Sequence, residues 1–116
     1  MIKMPLLQEL LMKVFDVADM KVFGYEQRAM NVIEEKPEFK IRSIELAPGG
    51  RIPQCEMTAH VIFICLVGEA TVTINGEDAL LSPAKGVVTV PATVSMKSET
   101  GAKLLGIQIR TADKTE

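Results

Sequence analysis

Proline and glycine interrupt short apolar stretches at close intervals from residue 48 onward, and this punctuation narrows the folds open to the chain. Pro48-Gly49-Gly50 is a strong turn signal. It leads through a short polar run, Arg51 to Ala59, into Val61–Val67, which is almost wholly apolar and rich in β-branched residues, as in a strand covered on both faces. Glu69 to Ile74 alternates: Ala70, Val72 and Ile74 face one way, Glu69, Thr71 and Thr73 the other. Asn75-Gly76 supplies the positive φ angles of a tight hairpin. Ala79–Leu81, Val87–Val90, Val94–Met96 and Leu104–Ile109 continue the series, punctuated by Pro83, Gly86, Pro91 and Gly101. Many short strands at regular spacing with few helices predict an all-β sandwich or barrel.

Upstream the pattern differs. Leu7, Leu10, Leu11, Val14 and Phe15 share one helical stripe, and Pro5 suits a first helical turn, so Pro5–Phe15 is expected to form a short amphipathic helix. Met1, Met4 and Met12 are alternative starts, and residues 1–11 are read as a helical extension to a single domain over 12–116. Gln27–Glu35 and Phe39–Ala47 are candidate strands, split by Lys36-Pro37. Residues from Thr111 on are polar, as expected of a frayed end.

A length of 116 residues suits one core. With acidic and basic residues interspersed and a net charge of -2, the chain lacks the one-sided basic surface that phosphate backbones need, so nucleic acid is not an expected partner. Trp is absent and Tyr25 is the one tyrosine, which leaves no evident stacking platform. The apolar run of Met1–Leu11 is broken by Gln8 and Glu9, too short for a secretion signal, and no run reaches membrane-spanning length. Cys55 and Cys65 lack zinc-type spacing and are too few for a disulfide scaffold, which predicts reduced thiols and a cytoplasmic protein. The mean hydropathy is positive, high for a small soluble monomer, and an apolar face buried against a second copy would account for it.

Three stretches together resemble the cupin superfamily. Pro48–Pro53, Val61–Ala70 and Thr73–Glu77 are similar to the first cupin motif and the hairpin after it, and Ser82–Ala92 to the start of the second. The resemblance spans about Met12 to Arg110 and implies a double-stranded β-helix, a jelly-roll barrel, commonly a homodimer. The family's first motif reads G-x5-H-x-H-x3,4-E-x6-G. Counting from Gly49 places its two histidines at Cys55 and Met57, and counting back from Gly68 places its glutamate at Val61. The second motif, begun at Pro91, places its histidine at Met96. All four metal-ligand positions therefore depart from the family pattern. Lys85-Gly86 replaces the usual Gly-Asp, and Thr93 the glycine after the proline.

Valine cannot ligate, and thioether is a poor ligand for hard divalent ions, so the family's metal-dependent oxygenase chemistry is not expected here. Cys55, Met57 and Met96 are soft ligands that would select Cu(I), but the same side chains pack as adaptable hydrophobes, the preferred reading. Alternation from Val61 turns Phe63 and Cys65 inward, so Cys55, Met57, Val61, Phe63, Cys65 and Met96 are expected to line an apolar pocket. Ile62, Ile64 and Leu66 face the other way, toward an expected dimer interface. Cys55 has Arg51 four residues away, too far along an extended chain to activate it, and a buried structural thiol is expected. His60, the single histidine, alternates away from Val61; with Glu56 it is a candidate acid/base pair lacking an evident orienting partner.

Three functions remain open. The first is a metal-free cupin binding a small, largely apolar molecule in an accessory or sensing role. The second is a metal-independent isomerase or lyase using His60 and Glu56. The third is a dimeric interaction module presenting the Pro5–Phe15 leucine face.

Overall fold

A computed structural model describes residues 12–110. Nine strands are present among them: β1 (Val32–Glu35), β2 (Phe39–Leu46), β3 (Arg51–Met57), β4 (His60–Gly68), β5 (Ala70–Ile74), β6 (Glu77–Leu81), β7 (Gly86–Thr89), β8 (Ala92–Lys97) and β9 (Ala102–Ile109). They form two antiparallel sheets, ordered β1-β2-β9-β4-β7 and β3-β8-β5-β6. The core lies between them. Val61, Cys65 and Leu104 from the first sheet meet Val72, Val94 and Met96 from the second, all nearly or fully removed from water. The architecture is a jelly-roll barrel built from the turns and alternations of the sequence.

Local chemistry fixes the turns. Asn75 and Gly76 have φ of 49° and 86°, the paired left-handed conformation that a two-residue hairpin between β5 and β6 requires. Asn75 also clasps the start of β8: its N–H donates to the Thr93 carbonyl at 2.9 Å and its Oδ1 accepts the Thr93 N–H at 3.0 Å. Gly68, the last residue of β4, has φ +75°, and a Cβ there would lie 2.0 Å from the Gly101 carbonyl oxygen. The buried Ser98 hydroxyl joins these turns, donating to the Glu69 carbonyl and accepting the Gly101 N–H.

Three strands carry an extra residue. In β3, Ile52 pairs with Met96 and Cys55 with Val94, so Pro53 and Gln54 together oppose one residue of β8. In β4 the extra residue is Leu66, between the Cys65–Leu104 and Val67–Lys103 pairs, and in β1 it is Ile33.

The N-terminal expectations change. Pro5–Leu11 lies outside the described residues, and Met12–Phe15 carry no helix. Of the expected strand Gln27–Glu35 only Val32–Glu35 is extended; Tyr25–Asn31 is a run of 3₁₀ turns. The reason is Asn31, whose buried side-chain amide accepts the Phe23 N–H and donates to the Phe23 carbonyl, both at 2.8 Å, closing residues 23–31 into a loop. A further 3₁₀ turn, Val17–Asp19, is capped by Asp16, and the Val17 carbonyl accepts from Lys103 Nζ at 2.8 Å, which ties this segment to β9. The polar run after Gly50 is a full strand, β3. No helix among the described residues is long and apolar enough to cross a membrane.

Candidate functional site

The two sheets diverge around a cavity of about 700 Å³. Strand register decides what enters it. On β4, Val61 and Phe63 point inward, and on β8 Val94 and Met96 do so. On β3 a strict alternation would send Ile52 and Cys55 to opposite faces. The Pro53-Gln54 bulge restores the phase, so that Ile52, Cys55 and Met57 all turn toward the cavity. The N-terminal loop closes one side with Tyr25 and Arg28.

The four positions that the cupin motifs assign to metal ligands thus converge on one cavity as Cys55, Met57, Val61 and Met96. Cys55 Sγ and Met57 Sδ lie 3.5 Å apart. Val61 offers only methyl groups and Met96 a buried thioether. No group of three His, Cys, Asp or Glu side chains suited to a metal ion occurs among the described residues. This donor set does not fit the iron, manganese or zinc of the fold's enzymes, which take imidazole and carboxylate.

The other expected site residues divide between the cavity and places outside it. Phe63 lines the cavity, but Cys65 does not: it lies in the core, where its thiol donates to the Val67 and Gly68 carbonyls (3.5 and 3.4 Å) just past the Leu66 bulge. Burial pushes the Cys65 thiol pKa up. Cys55 is exposed, a correction to the buried thiol expected, because β3 is an edge strand beside the cavity. His60 pairs with Ile109 and does not line the cavity. Glu56 reaches the rim, where its carboxylate accepts the Thr93 hydroxyl at 2.7 Å. The cavity therefore does not bring His60 and Glu56 together.

The principal polar feature is one that the strand pattern conceals. Arg42 on β2 pairs across β9 with Gly106, and Gly106 pairs on its other side with Phe63. A Cβ on Gly106 would meet Phe63 at 3.5 Å, the Arg42 Cγ at 3.6 Å and Ile44 Cδ1 at 3.2 Å, so the bare backbone leaves room for the Arg42 and Phe63 side chains. Arg42 is half-buried. Its pKa is lowered, first by burial and then by the positive charge of Arg28; Cys55, Glu35 and Tyr25 act the other way. Arg28 lies over the Tyr25 ring, 4.0 Å from its centroid, and donates to the Tyr25 carbonyl at 3.0 Å. One signal for Arg42 was present in the sequence, since it shares the period-two phase of the buried Ile44 and Leu46.

A five- and a four-stranded sheet closed into a jelly roll, with a cavity between them, define a class of small barrels. Comparison with solved structures gives the class its name, the cupin fold. A cupin superfamily protein of Desulfitobacterium hafniense superposes with a TM-score of 0.67 at 15% identity, covering 82% of this chain and 87% of its own. A Thermus thermophilus protein gives 0.73 at 20% identity, covering 86% and 100%. The salicylate 1,2-dioxygenase of Pseudoaminobacter salicylatoxidans gives 0.59 at 20% identity over 63% of this chain and 21% of its own. No family model and no curated protein matches the sequence.

Proposed function

We propose that the protein is a metal-free cupin-like binding protein whose barrel cavity holds a small, largely apolar molecule, in an accessory or sensing role. One observation carries this reading. The positions at which the fold family holds a metal meet in a cavity of about 700 Å³ and present sulfur and methyl groups there. Pockets of this size, apolar with a few placed polar groups, suit small organic ligands. The fold itself does not choose between enzyme and binding module. Free Cys55 and Cys65 support a reducing, cytoplasmic setting.

We also propose a homodimer formed through the outer face of β2, β9, β4 and β7. Its support is the run of isoleucine, leucine and valine side chains that the register aligns there.

The test is elemental analysis of purified protein together with mass spectrometry of small molecules released on denaturation. The expected result is no stoichiometric iron, manganese, zinc or nickel and an organic molecule in the released fraction. Stoichiometric metal that persists after chelation would overturn the reading.

A further inference from the structure

Arg42 brings a cation beside the sulfur and methyl groups at the centre of the cavity, whose lining also includes Arg28, Arg51, Glu45 and Glu56. Among the described residues Arg28 and Arg110 make side-chain hydrogen bonds or ion pairs, and neither Arg42 nor Arg51, which borders the same cavity, makes one there. Glu35, a carboxylate whose charge favours that of Arg42, is already paired with Arg110 at 2.6 Å. A partly buried guanidinium beside a second one gains from an anion that meets it as the remaining water is displaced. Solvent offers an easier place for such a side chain, and Gly106 instead keeps the inward path open.

We infer that the ligand is an amphipathic carboxylate, its acid group held by the Arg42 guanidinium at the cavity mouth and its apolar body lying on Phe63, Met57 and Met96. The inference rests on the binding function proposed above and names the ligand class for that same cavity. Arg42 presents a fork of N–H donors that matches the two oxygens of one carboxylate. Arg28 is engaged by the Tyr25 ring and carbonyl, so it adds positive field more than donors. The Glu45 and Glu56 carboxylates border the same cavity, and they oppose a doubly charged phosphate more than a monoanion.

The test uses the full chain labelled at its methionine methyl groups, with 2-naphthoate, neutral 2-naphthamide and 2-naphthyl phosphate as probes. Shifts of the Met57 and Met96 methyl signals report entry into the cavity. We expect 2-naphthoate to bind at least about tenfold tighter than 2-naphthamide, the scale of a charge-assisted hydrogen bond. Arg42→Gln should abolish that preference while leaving amide binding in place, and Arg42→Lys should keep part of it. If Arg42→Gln does not fold, the wild-type ratio of acid to amide decides alone. Equal binding of acid and amide would overturn the carboxylate while the binding function stands. Tighter binding of the phosphate would overturn it also. No shift of either methyl signal with any probe would remove both readings.

Discussion

Cys55 and Cys65 differ in what sets thiol reactivity. Cys55 is exposed beside the cavity, 3.5 Å from the Met57 sulfur. Cys65 is fully buried, and loss of hydration disfavours its thiolate. Only thiolate reacts, so a neutral-pH alkylation of native protein should modify one cysteine, mapped by mass spectrometry to Cys55, and denaturation should release the second. Rapid native modification of Cys65 would contradict the packing. The same shift sets a pH dependence. The folded thiol keeps its proton where the unfolded one has lost it, so the contribution is complete below about pH 8.5 and is lost as pH rises toward the raised folded value. Cys65→Ala should remove this alkaline slope in denaturation curves. Cys55, Met57 and Met96 are soft enough to select Cu(I), whereas the binding function has them act as packed hydrophobes, so Cu(I) titration of reduced protein should show no tight stoichiometric binding.

At the level of elements, two glycines set the cavity and its frame. Gly68→Ala would place a methyl 2.0 Å from the Gly101 carbonyl oxygen on a backbone of positive φ. It should cost about 2 kcal/mol or more in urea unfolding, against a few tenths for an ordinary surface change. Gly106→Val tests a different property. Its side chain would fill the gap between Arg42 and Phe63, so probe binding should vanish, with an overpacking cost of about 1–3 kcal/mol. Retained binding in a folded Gly106→Val variant would show that ligand does not use this space. These elements differ in how well the sequence announces them. β4 to β9 are legible because alternation and turn residues agree, as at Ala70, Val72 and Asn75-Gly76. β3 is hidden because its bulge at Pro53-Gln54 breaks the period of two, so that Ile52 and Cys55 look out of phase although both turn inward. The Tyr25–Asn31 loop is hidden because Asn31 closes it through Phe23, eight residues away, which no local pattern encodes. Arg42 shares the inward phase of Ile44 and Leu46, but the room for its side chain comes from Gly106 and Phe63, which lie far along the chain.

For the whole molecule, the unanswered physical question is the outer face of the five-stranded sheet. Register aligns Ile41, Ile107, Ile62 and Val88 in one row across β2, β9, β4 and β7, with Leu105 and Ile64 in the row beside it. Val88 is 69% exposed in the single chain. Ile41, Ile62, Ile64, Leu105 and Ile107 are partly buried beside it, and a stable dimer needs roughly 800 Å² from each partner, so the interface would have to extend beyond this row. Val88→Lys is the discriminating change, because an exposed position leaves the folded monomer within about 0.5 kcal/mol of its stability. In a dimer built on this face the new charge would be buried against its symmetry mate, since a two-fold axis presents the same patch twice. Sedimentation equilibrium should therefore give the mass of two 12.7 kDa chains for the native protein and of one for Val88→Lys, with unchanged circular dichroism. A dimer that survives both Val88→Lys and Ile62→Lys would place the interface elsewhere. A native monomer would leave the face without a partner of its own kind.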